Sequence, residues 1–245
     1  SYTKPSASLD AVVAGVDGTV EMTSAAIGNS LSVDVTGSAN VANRQIQRGG
    51  ALANAYLSAS DTVGGINATA AAIGNSASME FATPAASISD MNNYQRAWGK
   101  HNSNLTLDVR NVDSGDATEQ AIESTSAAIA NSLSVSGTGS FSGRNDQLFN
   151  GDVRATQTVD IANVTGDVDI TTAAIANSAS FDFTEAESFN LNNTQRAGFD
   201  PTASSSVNIE GVLGDVNITS AGISNSLSVT TLPETASVTV NSVQQ

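Results

Sequence analysis

The amino-acid sequence predicts an all-β fold, a β-solenoid in which five parallel repeats of about 49 residues stack in register. Three observations favour this fold class. One short motif recurs five times, apolar residues alternate with a period of two, and glycine-rich turn signals separate the segments. An antiparallel β-sandwich made of the same strands is the structural alternative.

The recurring motif is 11 residues long, and its five copies align without gaps. They read TSAAIGNSLSV, TAAAIGNSASM, TSAAIANSLSV, TTAAIANSASF and TSAGISNSLSV, beginning at Thr23, Thr69, Thr125, Thr171 and Thr219. Six positions are identical in every copy, among them an isoleucine (Ile27, Ile73, Ile129, Ile175, Ile223) and an asparagine (Asn29, Asn75, Asn131, Asn177, Asn225). Identity of this kind does not arise by chance, so the chain is a tandem array.

Related segments flank every copy of the motif. A β-rich segment precedes it, and a serine-led segment follows it and ends in a glutamine. These glutamines are Gln45, Gln95, Gln147, Gln195 and Gln244. We therefore expect a single repeat array over residues 1–245, with approximate units 1–47, 48–95, 96–147, 148–195 and 196–245.

The spacing of apolar residues predicts strands. After Ile175, apolar residues occur at 179, 181 and 183 with small or polar residues between them, as in a half-buried strand. An alanine-rich helix would have to continue through Gly-Asn-Ser and β-branched flanks, where helix propensity is poor. Turn dipeptides at 17–18, 64–65, 166–167 and 214–215 mark strand ends.

Two columns of the motif indicate that units pack directly on one another. The residues four after each isoleucine are Leu31, Ala77, Leu133, Ala179 and Leu227, and those six after it are Val33, Met79, Val135, Phe181 and Val229. Large residues in one column accompany small ones in the other, as close packing between stacked neighbours requires. Duplication of a two-unit block would produce the same alternation.

The repeated asparagine and isoleucine share a phase, so we expect both to face inward. An unpaired buried amide costs about 1–3 kcal/mol, whereas stacked amides satisfy one another in a ladder. The glutamines are expected to form a second ladder. A bend at Asn-Ser is the alternative, and a ladder at a bend satisfies both. A unit of this length has a contour of about 160 Å, so each unit either flattens into two facing sheets or winds twice.

Composition excludes several classes of function. The chain has 24 acidic and 9 basic residues, a net charge of −15, which disfavours nucleic-acid binding. Cysteine is absent and His101 is the single histidine, so disulfides and histidine-based metal sites are excluded. No apolar run is long enough for a membrane-spanning helix.

No catalytic, cofactor-binding or metal site is predicted, and we expect no enzymatic activity. His101 is expected in a solvated loop. Asp167 and Asp169 lack the nonapeptide signature of calcium-binding β-rolls and fit a solvated strand face. Tyr94 and Trp98 near Arg96 fit stacking on a sugar or capping of a loop.

The chain is predicted to be the structural subunit of an extracellular filament or biofilm-matrix fibre. Apolar residues run almost to both termini, so we expect open strand edges that join copies end to end. Matching open ends generate filaments rather than closed rings, and the net charge opposes lateral clumping. The expected partner is the chain itself, with a surface polysaccharide or an outer-membrane anchor as further partners.

Short motifs such as Ile-Gly-Asn-Ser-Ala at 73–77 and the Asn-x-Gln segments at 43–45 and 193–195 resemble repeats of secreted bacterial functional amyloids, the curlin-like and Fap-like fibre subunits. The resemblance implies export, extracellular assembly and a role in surface attachment or biofilm matrix. The start at Ser1, without a leader, is expected of a processed secreted chain.

Two other function classes remain open. A monomeric β-solenoid adhesin or ligand-binding protein would bind polysaccharide or ice through the threonine column of the motif. A solenoid carbohydrate-active enzyme is the third, and the uniformity of the units disfavours it.

Overall fold

The computed structural model describes residues 3–82, 88–116, 118–184, 187–231 and 237–245. Within these residues the chain forms 13 strands and no helix. The strands are β1 Ser6–Ala14, β2 Val20–Thr36, β3 Asn40–Gln47, β4 Ala51–Val63, β5 Ile66–Ala82, β6 Ile88–Asp113, β7 Gln120–Thr138, β8 Ser140–Thr165, β9 Asp167–Thr184, β10 Ser188–Ala197, β11 Thr202–Leu213, β12 Val216–Thr231 and β13 Ser237–Gln244. Every pair of these strands that is hydrogen-bonded is parallel. The predicted β-solenoid class is confirmed, and the antiparallel sandwich is wrong.

The strands form two sheets. The repeat sheet carries the five motif copies, in the order β2-β5-β7-β9-β12. The flanking sheet has the order β1-β4-β6-β8-β10-β13, with β3 beside β6 and β11 beside β8. Equivalent motif residues of successive units are direct neighbours, for example Ile73 beside Ile129 and Asn75 beside Asn131. The units therefore stack in register.

Each unit makes one flattened turn of the coil. A motif strand crosses the repeat sheet, and the chain then returns along the flanking sheet. The return strands β6 and β8 are each 26 residues long, and each carries the end of one unit and the start of the next. The structure thus shows two facing sheets rather than two windings per unit. The approximate unit boundaries at 95/96 and 147/148 fall inside β6 and β8.

The space between the sheets is filled by columns of small and large side chains in alternation. Ala77, Leu133 and Ala179 are neighbours in one column, and all three are buried. In the inward-facing column two residues further along each strand, Met79 and Phe181 lie on either side of Val135. Volume lost in one column is regained in the adjacent one, which keeps the interior close-packed.

The alternation of inward and outward residues shifts by one position inside the motif. Ala130 and Asn131 are both buried although they are adjacent in sequence, and the same holds for Ala176 and Asn177. Two successive inward residues place the preceding isoleucine on the outer face. The expectation that the isoleucine column faces inward is therefore wrong: Ile27 is 44% exposed, and Ile73, Ile129, Ile175 and Ile223 are half-buried.

A second irregularity recurs where each turn leaves the flanking sheet. One residue per turn has left-handed backbone geometry, with φ between 54° and 64°. These residues are Gly15, Asp61, Asn111, Asn163 and Gly211, one above another. Glycine, asparagine and aspartate are the residues that tolerate this conformation best, so each unit places a tolerant residue at its bend.

Candidate functional site

The motif asparagines form a continuous ladder through all five turns. The side-chain amide of Asn29 donates to Asn75 Oδ1, Asn75 to Asn131, Asn131 to Asn177 and Asn177 to Asn225, at 2.7–2.8 Å. A second amide hydrogen reaches a backbone carbonyl of the flanking sheet, such as that of Arg96 for Asn75 and that of Leu148 for Asn131. The ladder therefore ties successive turns together and also ties one sheet to the other.

The glutamines form a second ladder with the opposite direction of donation. Gln95 donates to Gln45 Oε1, Gln147 to Gln95, Gln195 to Gln147 and Gln244 to Gln195, at 2.8–2.9 Å. Gln45 and its three successors also donate to serine carbonyls of the repeat sheet. Amide donors thus point towards the last turn in the asparagine ladder and towards the first turn in the glutamine ladder.

A third ladder was missing from the sequence prediction. Asn43 donates to Asn93, Asn93 to Asn145 and Asn145 to Asn193, at 2.6–2.7 Å, and Asn193 donates to Ser242. These asparagines lie two residues before the laddered glutamines, on the same inward side. The recurrent Asn-x-Gln pattern contained the signal, because positions two apart on a strand share a face.

The outer face of the repeat sheet is nearly identical from turn to turn. Of the six identical motif positions, only asparagine points into the core, while threonine, alanine, isoleucine and two serines point outward. The inward positions vary more, as at Ser24, Ala70, Ser126 and Thr172. Core packing does not explain identity on a solvent face.

The first and last turns present strand edges without a partner strand in the described structure. β1, β2 and β3 form the first edge, and β11, β12 and β13 form the last. Apolar residues that face inward are most exposed at the last edge. Val238 and Val240 are 49% and 39% exposed, whereas their neighbours Phe189 and Leu191 are buried.

Basic residues lie on one side of the molecule. The five strands of the repeat sheet contain no lysine or arginine, so all nine cations lie in the flanking sheet or the segments beside it. Arg44, Tyr94, Arg96 and Trp98 share its outer face near the first edge. The guanidinium of Arg96 lies 4.5 Å from the centre of the Tyr94 ring.

A family model described as holdfast attachment protein D matches residues 14–89 and 82–245, which together reach from residue 14 to the last residue. The chain belongs to the holdfast attachment protein D family. A search of curated proteins and a search of solved structures return no match.

Membership of the holdfast attachment protein D family gives the chain a cell-surface location and a role in adhesion. The expectation of a cell-surface adhesion protein is thereby confirmed. The finer resemblance to curlin-like and Fap-like fibre subunits is not confirmed by the comparisons.

The single histidine of the chain is not in a solvated loop, so that prediction is wrong. His101 lies within β6, fully buried, with its ring 5.8 Å from that of Phe149. Burial lowers the pKa of His101 to about 4, so the ring is neutral at physiological pH.

Neither a cluster of metal-binding side chains nor a membrane-spanning helix is found among the residues that the structure describes. No group of three or more histidine, cysteine, aspartate or glutamate side chains there is arranged to hold a metal ion. No helix in this part of the chain is long and apolar enough to cross a membrane.

Proposed function

We propose that this member of the holdfast attachment protein D family is the structural subunit of an extracellular fibre, in which copies join end to end through the first edge of one and the last edge of the next. The observation that carries the proposal is the hydrogen-bonding polarity of the ladders. Membership of the family supports a role in adhesion. The ladders would join copies through hydrogen bonds into a cohesive fibre that serves this role.

The two edges of one copy complement each other. At the last edge, Asn225 accepts from Asn177 and donates to the backbone of Gln245, which leaves one amide hydrogen for another acceptor. At the first edge, Asn29 Oδ1 has no donor among the described residues. Asn225 of one copy is thus matched to Asn29 of the next.

The glutamine ladder makes the same match in reverse. Gln45 uses one amide hydrogen on the carbonyl of Ser76 and keeps the other, while no described donor reaches Gln244 Oε1. Joining two first edges through a two-fold axis would pair their strands antiparallel, unlike every pair in the array. A head-to-tail contact keeps the strands parallel and satisfies both ladders, and such a heterologous contact generates an open filament.

The strand edges also fit in length and in polarity. β12 has 16 residues and β2 has 17, so a parallel pairing between copies would extend the repeat sheet over its whole width. The same contact would cover the half-exposed Val238 and Val240. Unpaired edges of this kind are templates for another chain.

Electron microscopy and sedimentation of the purified protein test the proposal. We expect unbranched filaments that lengthen with protein concentration, and a Val240→Lys variant that stays monomeric because a buried, unpaired ammonium disfavours edge contact. Ser134→Lys is the matched control, since Ser134 is an exposed residue of a central strand. A wild-type protein that sediments as a monomer at all concentrations would overturn the proposal, as would equal assembly of Val240→Lys, provided circular dichroism shows that both variants are folded.

The second candidate function is that of a monomeric adhesin that binds a flat ligand through the outer face of the repeat sheet. The five identical outward columns favour it, because they offer an uncharged, regular surface. An Ala127→Lys substitution in the centre of this face should abolish binding to crystalline polysaccharide or ice and leave filaments intact. Retained ligand binding by Ala127→Lys would contradict the adhesin role of this face, and loss of filaments would show that the face takes part in assembly.

The proposal extends to export, to partners and to chemistry. We infer that the chain works outside the cell after export and signal-peptide removal, that it has no enzymatic activity, and that an outer-membrane anchor holds the first copy of a fibre. Protease treatment of intact cells tests the location: the chain should be degraded while a cytoplasmic marker is preserved.

A further inference from the structure

We propose that the outer face of the flanking sheet around Tyr94 and Trp98 binds an anionic polysaccharide. The basic-aromatic patch that would bind it consists of Arg44, Arg48, Tyr94, Arg96, Trp98 and Arg144. This inference takes the adhesive role proposed above as its context, but it concerns a different surface from the edges that join copies.

The patch is basic although the molecule as a whole is acidic. The chain carries 24 acidic and 9 basic residues, yet four of those 9 lie in this one region of the flanking sheet. Arg44 and Tyr94 are neighbours on adjacent strands, and Arg96 and Trp98 follow Tyr94 at every second position on the same face. The register of the solenoid therefore assembles the patch from residues of three successive turns.

The arginines lie against the aromatic rings. The guanidinium of Arg44 is 5.6 Å from the Tyr94 ring centre, that of Arg96 is 4.5 Å from it, and that of Arg48 is 5.9 Å from the Trp98 ring centre. Cation–π contacts hold a guanidinium in place without neutralising it. The patch thus presents ordered positive charges next to apolar ring surface.

Several of these cations have no acidic partner. Within the described residues, Arg44, Arg96 and Arg144 form no ion pair within 4 Å, whereas Arg110 pairs with Asp160 at 2.6 Å. Arg96 Nε is buried and has no hydrogen-bond partner in that part of the chain. A fork of unpaired N–H donors is the group that binds carboxylates and sulfates most specifically.

The shape of the surface favours an extended ligand. A cleft of about 420 Å³ lies on one side of the patch, lined by Arg44, Asn92, Tyr94 and Arg144. A second cleft, of about 560 Å³, lies on the other side, lined by Arg48, Lys100 and Asn102. Asn92 and Asn102 lie on β6 on either side of Tyr94 and Trp98, so a polymer would span both clefts and cross the rings between them.

The charge pattern favours polysaccharide over nucleic acid. Asp146 lines the first cleft beside Arg144, and Asp90 and Asp152 lie on the same sheet. These carboxylates, with a net charge of −15, repel a backbone that carries a phosphate at every nucleotide. A polyuronate carries one carboxylate per sugar, a lower charge density than that of duplex DNA, which has one charge per about 1.7 Å of axis. Its carboxylates can lie on the arginines and its sugar faces on Tyr94 and Trp98.

Binding of alginate, a polyuronate, tests the proposal, with neutral dextran and duplex DNA as comparison ligands. We expect alginate binding, at least tenfold weaker in Arg96→Gln and in Trp98→Ala, and no comparable binding of dextran or DNA. Arg110→Gln is the control, because Arg110 is a partly exposed cation of the same sheet that lines neither cleft. Its alginate affinity should stay within about twofold of the wild type if the patch, rather than general charge, binds the ligand.

Four outcomes would overturn the inference: no alginate binding, equal binding of dextran, equal binding of DNA, or an Arg110→Gln effect as large as that of Arg96→Gln. The assays are run on the Val240→Lys variant as well as on the wild type. Alginate binding by a monomeric variant supports the patch whether or not filaments form. Filaments without alginate binding overturn the patch and leave the fibre proposal standing.

Discussion

Asn75 donates its side-chain amide to Asn131 Oδ1 at 2.7 Å, and its other amide hydrogen reaches the carbonyl of Arg96 on the facing sheet. Each buried amide of the ladder therefore connects two turns along the stack and two sheets across it. Buried amides cost free energy unless their hydrogen bonds are made, and in-register stacking makes them. The ladder thus favours one register over every alternative.

Asn131→Ala should lower the free energy of unfolding by about 3 kcal/mol or more. The substitution removes the acceptor of Asn75, the donor to Asn177 and the bond to the carbonyl of Leu148, all in the interior. Denaturation in urea, followed by circular dichroism, measures the change. Asn104→Ala is the control, because the bond from Asn104 to Asn54 is exposed, and it should change stability by less than about 0.5 kcal/mol. Equal losses in the two variants would contradict the role of the buried ladder.

Acid should destabilise the protein through His101. Burial lowers the pKa of His101 to about 4 from 6.5, so the unfolded chain takes up this proton at a higher pH than the folded chain does. The free energy of unfolding therefore decreases as pH falls from 6.5 to about 4, by about 3 kcal/mol from this residue. Above pH 6.5 the ring is neutral in both states and contributes no pH dependence.

His101→Val should remove that acid sensitivity. Valine fits because the neighbours in the same column are Ala51 and Val153. Unfolding curves of the wild type and the variant, recorded between pH 7.5 and 4.5, measure the difference. Identical slopes of stability against pH in the two proteins would show that His101 is not the group responsible.

The fold could be predicted from the sequence because the repeat determines both strand type and register. Identical residues at Asn29, Asn75 and Asn131 pair with one another in a parallel stack, and the period of two excludes a helix. The two amide ladders followed from the cost of burying an unpaired amide. The flattened single turn did not follow, because contour length alone permits two windings.

The orientation of the isoleucines could not be predicted from the alternation. One extra inward residue, Ala130 in the third unit, reverses the phase between Ile129 and Asn131. A shift of one residue moves every preceding side chain to the other face of the sheet. Nothing in the local sequence distinguishes this shift from a continuous strand.

The burial of His101 depends on a residue far away in sequence. A Cβ atom at Gly74 would lie 2.6 Å from the His101 ring, so the facing strand leaves the space that the ring occupies. Polar neighbours in Gly-Lys-His-Asn indicated a loop, whereas the phase of Ser103 and Leu105 was inward. Extending that phase back to residue 101 would have predicted a core position.

The left-handed bend of each turn should discriminate between residue types at position 111. Asn111 has a φ of 56°, and its equivalents in the first and last turns are glycine. Asn111→Val should lower stability by about 1–2 kcal/mol, because β-branched residues disfavour this conformation, whereas Asn111→Gly should be nearly neutral. Thermal unfolding of both variants measures the difference. The bond from Asn111 to Asp61 is exposed, so its loss contributes little, and equal melting temperatures for Val and Gly would refute the conformational explanation.

Phe141 is the centre of the aromatic cluster between the two sheets, and its replacement should be the most costly of these substitutions. Its ring centre lies 4.6 Å from that of Phe183 and 5.3 Å from that of Phe189, and it is buried. Gly143 lies directly against the ring, with no side chain that could move into a vacated space. Phe141→Ala should therefore leave a cavity and lower the free energy of unfolding by about 3–5 kcal/mol, and Phe141→Leu by about 1–2 kcal/mol. Phe199→Ala is the control, since Phe199 is 62% exposed, and it should be nearly neutral.

Because each turn of a solenoid is stabilised by its neighbours, a loss at Phe141 in the third unit should destabilise the whole array in one transition. A separate early transition in Phe141→Ala, with the remaining turns unaffected, would contradict that coupling.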